Sequence, residues 1–291
     1  MTKKKKTEPK TEPTLAAEME QIKPTGIGPA PGGFHRLRMR DRGDGWKVFG
    51  AVSDNHLGSK HYRADVLNDL YDWYAREGVR DVFNGGNWIE GQSKKNQHDI
   101  EVFGMDNQLK FMIDNYPRRD GITTHYVAGD DHEGWYQQRE IFSIGRTLQD
   151  RARSEGRKDL HYLGYVEADI ELVASRGSTM MRLMHGGGGG AYAISYKPQK
   201  ILASLSGGEK PAVLLLGHYH KLGYFYMRNV HAVLLGCTEN QSIFMRKNSL
   251  EAHIGGWLIH LRQAKDGAIT DFLPHLRTYF DEGYYERRYD P

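Results

Sequence analysis

A single cysteine, Cys237, occurs in the 291 residues. An internal disulfide framework is therefore excluded, and the composition suits a reducing, cytoplasmic setting. No run approaches the ~20 apolar residues of a helical membrane span. No apolar signal-type region follows the N-terminus, so no membrane association is expected. An excess of one charge is also lacking: 40 Lys and Arg stand against 37 Asp and Glu, a formal net charge of +3. Global attraction to a polyanion is weak at that balance, and any nucleic-acid binding must come from local patches. No repeat of solenoid length is present. The 38% hydrophobic content can still supply a substantial core.

Residues 1–33 read as a disordered, basic and Pro-rich tail. Lys3-Lys4-Lys5-Lys6 precedes Thr7-Glu8-Pro9 and Thr11-Glu12-Pro13, a composition that buries too little apolar surface to fold. A solvated leader is favoured over a phosphate-binding arm, because glutamates interrupt the basic run. One domain is expected over 34–291, beginning with Phe34 to Met39. Arg42-Gly43-Asp44-Gly45 reads as a hairpin turn into a strand from Trp46 to Val52.

Apolar residues at helical spacing predict helices over 64–77 (Val66, Leu67, Leu70, Tyr71, Tyr74), around 102–116, over 135–150 (Ile141, Ile144, Leu148 inward) and over 191–205. Gly78 and Pro117 are natural stops for the first two. Short apolar runs predict strands at 79–83, 123–128, 170–173, 180–184 and 212–216. After residue 220 the pattern turns mostly to strands: 224–227, 231–235, 256–261 and 269–276. Alternating strands and helices followed by strands predict an α/β layered domain finished by a second sheet.

Groups of metal-competent side chains stand just past these apolar runs. They are Asp54-Asn55-His56, Gly86-Asn87-Trp88-Ile89-Glu90, Gly129-Asp130-Asp131-His132-Glu133, His185-Gly186 and Gly217-His218-Tyr219-His220. Loops at strand ends converge in open α/β sheets, so these groups can share one site. Seven ligand candidates (Asp54, His56, Asn87, Asp131, His185, His218 and His220) are too many for one ion and suit two. Mixed carboxylate and imidazole donors fit manganese first, with iron, zinc and magnesium as alternatives. The other nine histidines read as structural, and Cys237 as buried packing. Gly186 to Gly190 reads either as a flexible linker or as a phosphate cradle. Trp88, Trp135, Tyr136 and Tyr192 read as wall and core, with base stacking as the alternative.

The order and spacing of the five groups resemble the calcineurin-like metallophosphoesterases, over roughly residues 46–220. The resemblance implies a two-layered β-sandwich flanked by helices, a four-layer α/β/β/α arrangement. It also implies that Asp54, His56 and His220 hold a first cation and that His185 and His218 hold a second. Asn87 falls where the family has a bridging aspartate, and Asp131 where it has an asparagine. We read this as a charge swap, with Asp131 as the bridge and with Glu90 or Asp130 able to shift inward; the alternative is a degenerate, non-catalytic module. His132 matches the histidine that contacts the scissile phosphate and protonates the leaving group. Glu133 is expected to orient it by a hydrogen bond.

The chemistry so implied is hydrolysis of a phosphoester by water activated on the cations, with His132 as general acid. The basic tail, the basic residues near the motifs (Lys60, Arg63, Lys94, Lys95, Arg139) and the flanking aromatics favour a phosphodiester in DNA or RNA, in the manner of a repair exonuclease. A phosphomonoesterase or nucleotide hydrolase is the alternative.

Overall fold

The computed structural model describes residues 31–280, apart from 40, 43, 44 and 141. Most of the expected tail, 1–30, lies outside the described residues. So do Gly43 and Asp44 of the expected hairpin and Ile141 of the expected third helix.

In chain order the elements are β1 (Pro31–Leu37), β2 (Trp46–Val52), α1 (Ala64–Arg76), β3 (Asp81–Asn84), α2 (Met105–Asn115), β4 (Thr123–Ala128), α3 (Glu133–Glu140), α4 (Ile144–Ser154), β5 (Leu160–Val173) and β6 (Ser178–His185). There follow α5 (Tyr196–Ser204), β7 (Val213–Gly217), β8 (Leu222–Met227), β9 (Val230–Leu235), α6 (Ile243–Lys247), β10 (Gly255–Gln263) and β11 (Ile269–Thr278). Hydrogen bonds link the strands in the order β11-β10-β2-β3-β4-β5-β6-β7-β9-β8, and β1 adds to β5.

Side-chain alternation shows that this path is folded into two layers, because successive residues of a strand point to opposite faces. Phe49 and Ala51 of β2, Phe83 of β3, Val127 of β4, Val213 and Leu215 of β7 and Val233 and Leu235 of β9 share one buried cluster between the layers. Their neighbours Val48, Val52, Val82, Tyr126 and Ala128 face a second cluster with α1, α2 and α4. Leu214, Leu216, Ala232 and Leu234 face a third, with Leu202 of α5. The architecture is the expected helix–sheet–sheet–helix sandwich. Strand β5 belongs to both layers: it pairs with β4 through Leu160 to Tyr165 and with β6 through Glu167 to Val173. Val166, at φ 67, turns the strand between the two pairings.

Three expectations need correction. Among the described residues β1 and β2 do not pair; β1 runs parallel to β5, while β2 lies between β10 and β3. The late strands do not make a sheet of their own: β8 and β9 extend the layer of β7, and β10 and β11 return to β2. The single helix expected over 135–150 is two, because Ser143 is extended (φ −91, ψ 100) and Gln137 caps the new start by accepting from the Ile144 N–H at 3.1 Å. The break frees α3 to begin at the site while α4 lies on the sheet. Elsewhere the periodicity reads true: all five inward residues expected for the first helix are buried in α1, and Cys237 is buried. Among the described residues no helix is long and apolar enough to cross a membrane.

Candidate metal centre

The ligand candidates follow the carboxyl ends of β2, β3, β4, β6 and β7, and the structure gathers six of them into two groups, while a third group joins His56 to Glu90 and His132. Asp54, His56 and His220 offer donor atoms within 4.8 Å of one another, and so do Asp131, His185 and His218.

In the first group, Asp54 Oδ2 accepts from Ser53 Oγ at 2.6 Å and from the His218 backbone N–H at 2.8 Å. Its Oδ1 lies 3.5 Å from His220 Nε2. Burial alone would raise this carboxyl, but His220 and His185 hold it below the usual range. His56 Nδ1 donates to Glu90 Oε2 at 2.8 Å, which directs the Nε2 lone pair toward the site. Burial, with His132 and His220 nearby, lowers its pKa well below the ordinary value, so the ring is neutral and ready to ligate.

In the second group, Asp131 Oδ1 lies 3.1 Å from His185 Nε2, Asp131 Oδ2 lies 3.3 Å from His218 Nδ1, and the two imidazole nitrogens are 3.2 Å apart. Ligands about 2.1 Å from one ion stand ~3.0 to 3.4 Å apart at octahedral to tetrahedral angles. This triangle therefore already has the spacing of a coordination sphere. Backbone carbonyls set both rings: His185 Nδ1 donates to Gly85 O at 2.8 Å, and His218 Nε2 donates to Gly188 O at 3.0 Å. Burial opposes charge on His185, yet Asp131, Asp54 and Glu133 push its pKa up to about 10. The pocket thus demands positive charge, which a cation supplies.

Unsatisfied atoms make the same point. Asp54 Oδ1, His56 Nε2, Asn87 Oδ1 and His220 Nδ1 are buried without hydrogen-bond partners. Each such atom costs about 1–3 kcal/mol when nothing compensates it. The residues fit a bound metal ion.

Two expected roles change. Asp131 does not stand as a bridge between the groups; both its oxygens are engaged by His185 and His218. Asn87 keeps the position beside them, its Oδ1 2.6 Å from the point where a Gly129 Cβ would lie and His185 Nε2 3.0 Å from that same point. Glu133 does not hold His132. Its Oε1 accepts the backbone N–H of Asn87 at 2.9 Å and of Gly129 at 2.8 Å, tying two ligand loops together. Burial lifts this carboxyl to about 8. His132 is fixed by Glu90, whose backbone oxygen accepts from Nδ1 at 2.7 Å, and by Trp135, stacked on the ring at 4.7 Å. Its Nε2 is left for a ligand.

The groups open on a cleft of about 420 Å³. Glu90, Asp99, Asp130, Asp131, Glu239 and Glu251 line it, against one lysine, Lys95. Trp135 and Phe244 form an apolar wall, and Gly188 to Gly190 form part of the rim. The glycine loop gives the site carbonyl oxygens: Gly187 O accepts from Tyr219 Oη at 3.0 Å, and Gly188 O holds His218. Trp88 is core, while Tyr192 is fully exposed. Arg63, expected near a nucleic acid, is buried and bonded to Asp65, Asn240 and Phe280 O.

Glu239 is a residue that sequence reasoning missed. It is 3% exposed, with Oε1 3.4 Å from His220 Nδ1 and 3.6 Å from His56 Nε2. Burial, with Glu90 and Asp54 close by, pushes its carboxyl well above the ordinary range. The one available signal was position: Glu239 follows the apolar strand β9 as the ligand candidates follow theirs.

The fold and site together define a four-layered α/β protein with groups of side chains that could hold a metal ion. No protein-family model matches the chain, and no curated protein does. Among solved structures it is similar, at low identity, to several proteins of different description. A predicted phosphoesterase from Streptococcus pneumoniae TIGR4 is 14% identical (TM-score 0.37), the match covering 80% of this chain and 98% of that one. A novel archaeal phosphodiesterase is 12% identical (TM-score 0.40), covering 79% and 99%. Vps29 complexed with zinc, from Entamoeba histolytica, is 14% identical (TM-score 0.39), covering 79% and 98%. At such values no ligand or activity passes from them to this chain.

Proposed function

We propose that the protein is a metal-dependent phosphoesterase acting on a nucleotide-sized phosphodiester. The observation that carries this reading is the pair of preformed ligand groups, Asp54/His56/His220 and Asp131/His185/His218, of which His56, His220, Asp131 and His218 line one cleft with His132. Bound divalent cations, manganese first, supply Lewis acidity and lower the pKa of water there. The chain's own residues do the rest. His132 lines the cleft while its Nδ1 is pinned to Glu90 O, so the ring keeps its other nitrogen for the leaving oxygen. Burial lowers the pKa of this ring, partly opposed by Asp131. The negative charge of an incoming phosphate raises it again and so helps load the proton. Trp135 holds the ring plane, and the Trp135–Phe244 wall offers an apolar face to the leaving group.

A long polyanion is disfavoured by the six carboxylates around the cleft. A nuclease role would therefore be confined to the end of a DNA or RNA strand, and a small diester fits better. The test is metal content of the purified protein, with turnover of a small phosphodiester, a phosphomonoester and single-stranded DNA in manganese. Two bound ions and a rate on the small diester at least tenfold above the others are expected; an absence of bound metal overturns the reading.

The neutral amide at Asn87 favours a second reading, a binding module with a degenerate site. Asn87→Asp decides between them. Comparable activity of both forms supports the enzyme, and activity of the variant alone supports the degenerate module.

A further inference from the structure

Glu239 is as buried as the ligands drawn from the sequence motifs, and its ion-range partners are two imidazole nitrogens, His220 Nδ1 at 3.4 Å and His56 Nε2 at 3.6 Å. Both nitrogens lack hydrogen bonds. Two donors about 2.1 Å from an ion at the tetrahedral angle stand ~3.4 Å apart. Glu239 is thus set at ligand spacing from two atoms that need a partner. His220 turns Nδ1 to Glu239 and Nε2 to Asp54, so a carboxylate stands at each of its nitrogens.

The other buried glutamates are differently employed. Glu90 uses both side-chain oxygens, accepting from Asn96 Nδ2 at 2.7 Å and from His56 Nδ1 at 2.8 Å. Glu133 accepts two backbone N–H groups. Both are positioning residues. Glu239 has no such task.

We propose that Glu239 is a carboxylate ligand of the first cation. The inference rests on the metal-dependent reading above. It makes the two groups unequal: Asp54 and Glu239 both flank the histidines of the first, whereas Asp131 alone flanks those of the second. A buried dication is held more tightly where more opposite charge surrounds it. The first site fills first, and the second exchanges.

The test is calorimetric titration of the metal-free full-length protein with Mn²⁺, read as two affinities. Loss of an outer-shell partner alone weakens metal binding roughly 10–100-fold. Glu239→Gln is therefore expected to weaken the tighter phase by about 100-fold or more and to leave the weaker phase within about threefold. Glu90→Gln removes equal charge from the same pocket but keeps an acceptor for His56, and is expected to cost about tenfold or less. Equal losses in the two variants would mean a general field effect and would overturn the proposal, as would a Glu239→Gln protein that binds both ions like the wild type. Should Glu239→Gln fail to fold, Glu239→Asp with Co²⁺ replaces it: a shifted visible absorption band supports ligation, and an unchanged band overturns it. Wild-type protein that takes up no metal defeats the phosphoesterase reading itself, an outcome separate from all of these.

Discussion

Replacing Gly129 by alanine should disable the second ligand group without straining the backbone. Gly129 is not in the left-handed region, so its main chain accepts a side chain. The added Cβ, however, would lie 2.6 Å from Asn87 Oδ1 and 2.9 Å from His185 Cδ2. Ordinary carbon contacts are ~3.5 Å or longer, so the His185 ring must retreat by about 0.6 Å and the amide by more. Neither has room. His185 is fully buried with Nδ1 bonded to Gly85 O, and behind it a Cβ on Gly86 would stand only 2.6 Å from that same nitrogen. The imidazole is held between two glycines. A misplacement of ~1 Å at a reacting centre costs on the order of 100-fold in rate. Gly129→Ala should therefore lower diester turnover about 10–100-fold, or ~1.4–2.7 kcal/mol of barrier. Overpacking should cost a further ~1–3 kcal/mol of stability. Thermal melts and Mn²⁺ titrations measure both effects. A variant with wild-type turnover, metal affinity and melting temperature would show that the clamp on His185 does not set the site.

His132→Gln should reduce turnover by roughly 10²–10⁴-fold, the usual contribution of a positioned acid, with metal stoichiometry unchanged; loss of metal along with activity would place His132 among the ligands instead. At the far end of β4 and β5, burial, with His125 and His35 beside it, lowers the His161 pKa from 6.5 to about 4. The folded form therefore keeps this ring neutral where the unfolded chain would protonate it, so stability is full above pH 6.5 and is lost as pH falls toward 4. The unscreened shift is worth ~3.4 kcal/mol, which partial exposure reduces to about 1 kcal/mol. Denaturant unfolding of His161→Gln at about pH 7 and about pH 4.5 should show that much less acid destabilisation than the wild type, and parallel losses would exclude the effect.

Much of the site is legible in the sequence because each ligand follows an apolar run, and the chain can bring strand ends together only at one edge of the sandwich. Asp54, His56, His185, His218 and His220 need nothing more. Glu133 misleads because sequence adjacency to His132 says nothing of direction: at the start of α3 its carboxylate turns back to the loops after β3 and β4. Glu239 stands alone, with no second ligand beside it to mark it. In the fold, β4 is legible to the residue, since Thr123 to Ala128 is uniformly strand-like. The first half of β5 escapes because Val166 reverses its alternation where the strand passes between layers. The return of β10 to β2 is illegible for another reason. It sets Trp257 opposite Ala51 and Ile259 opposite Phe49, residues from opposite ends of the chain, and local pattern holds no record of so distant a partner.

The backbone explains how so many polar groups are kept in place. Asp54, His56, Asn87, His132, His218 and His220 all have positive φ, from 46° to 86°, six of the nine residues expected at the site. Such conformations cost about 1–3 kcal/mol each and persist only where the surroundings impose them. Here the loops impose them on one another. The N–H groups of Asp54, His56 and Leu57 donate to the carbonyls of Gly86, Asn87 and Trp88, which carries the β2–β3 pairing past the strand ends. Asp54 O accepts from the Thr238 N–H, and His220 O accepts from the His253 N–H, which locks the later loops to the first. A site braced through its main chain can hold orphaned donors close together before any cation arrives. Its ligands then have little reorganisation to undergo on binding, the condition under which fixed dipoles act most strongly on a reacting phosphate.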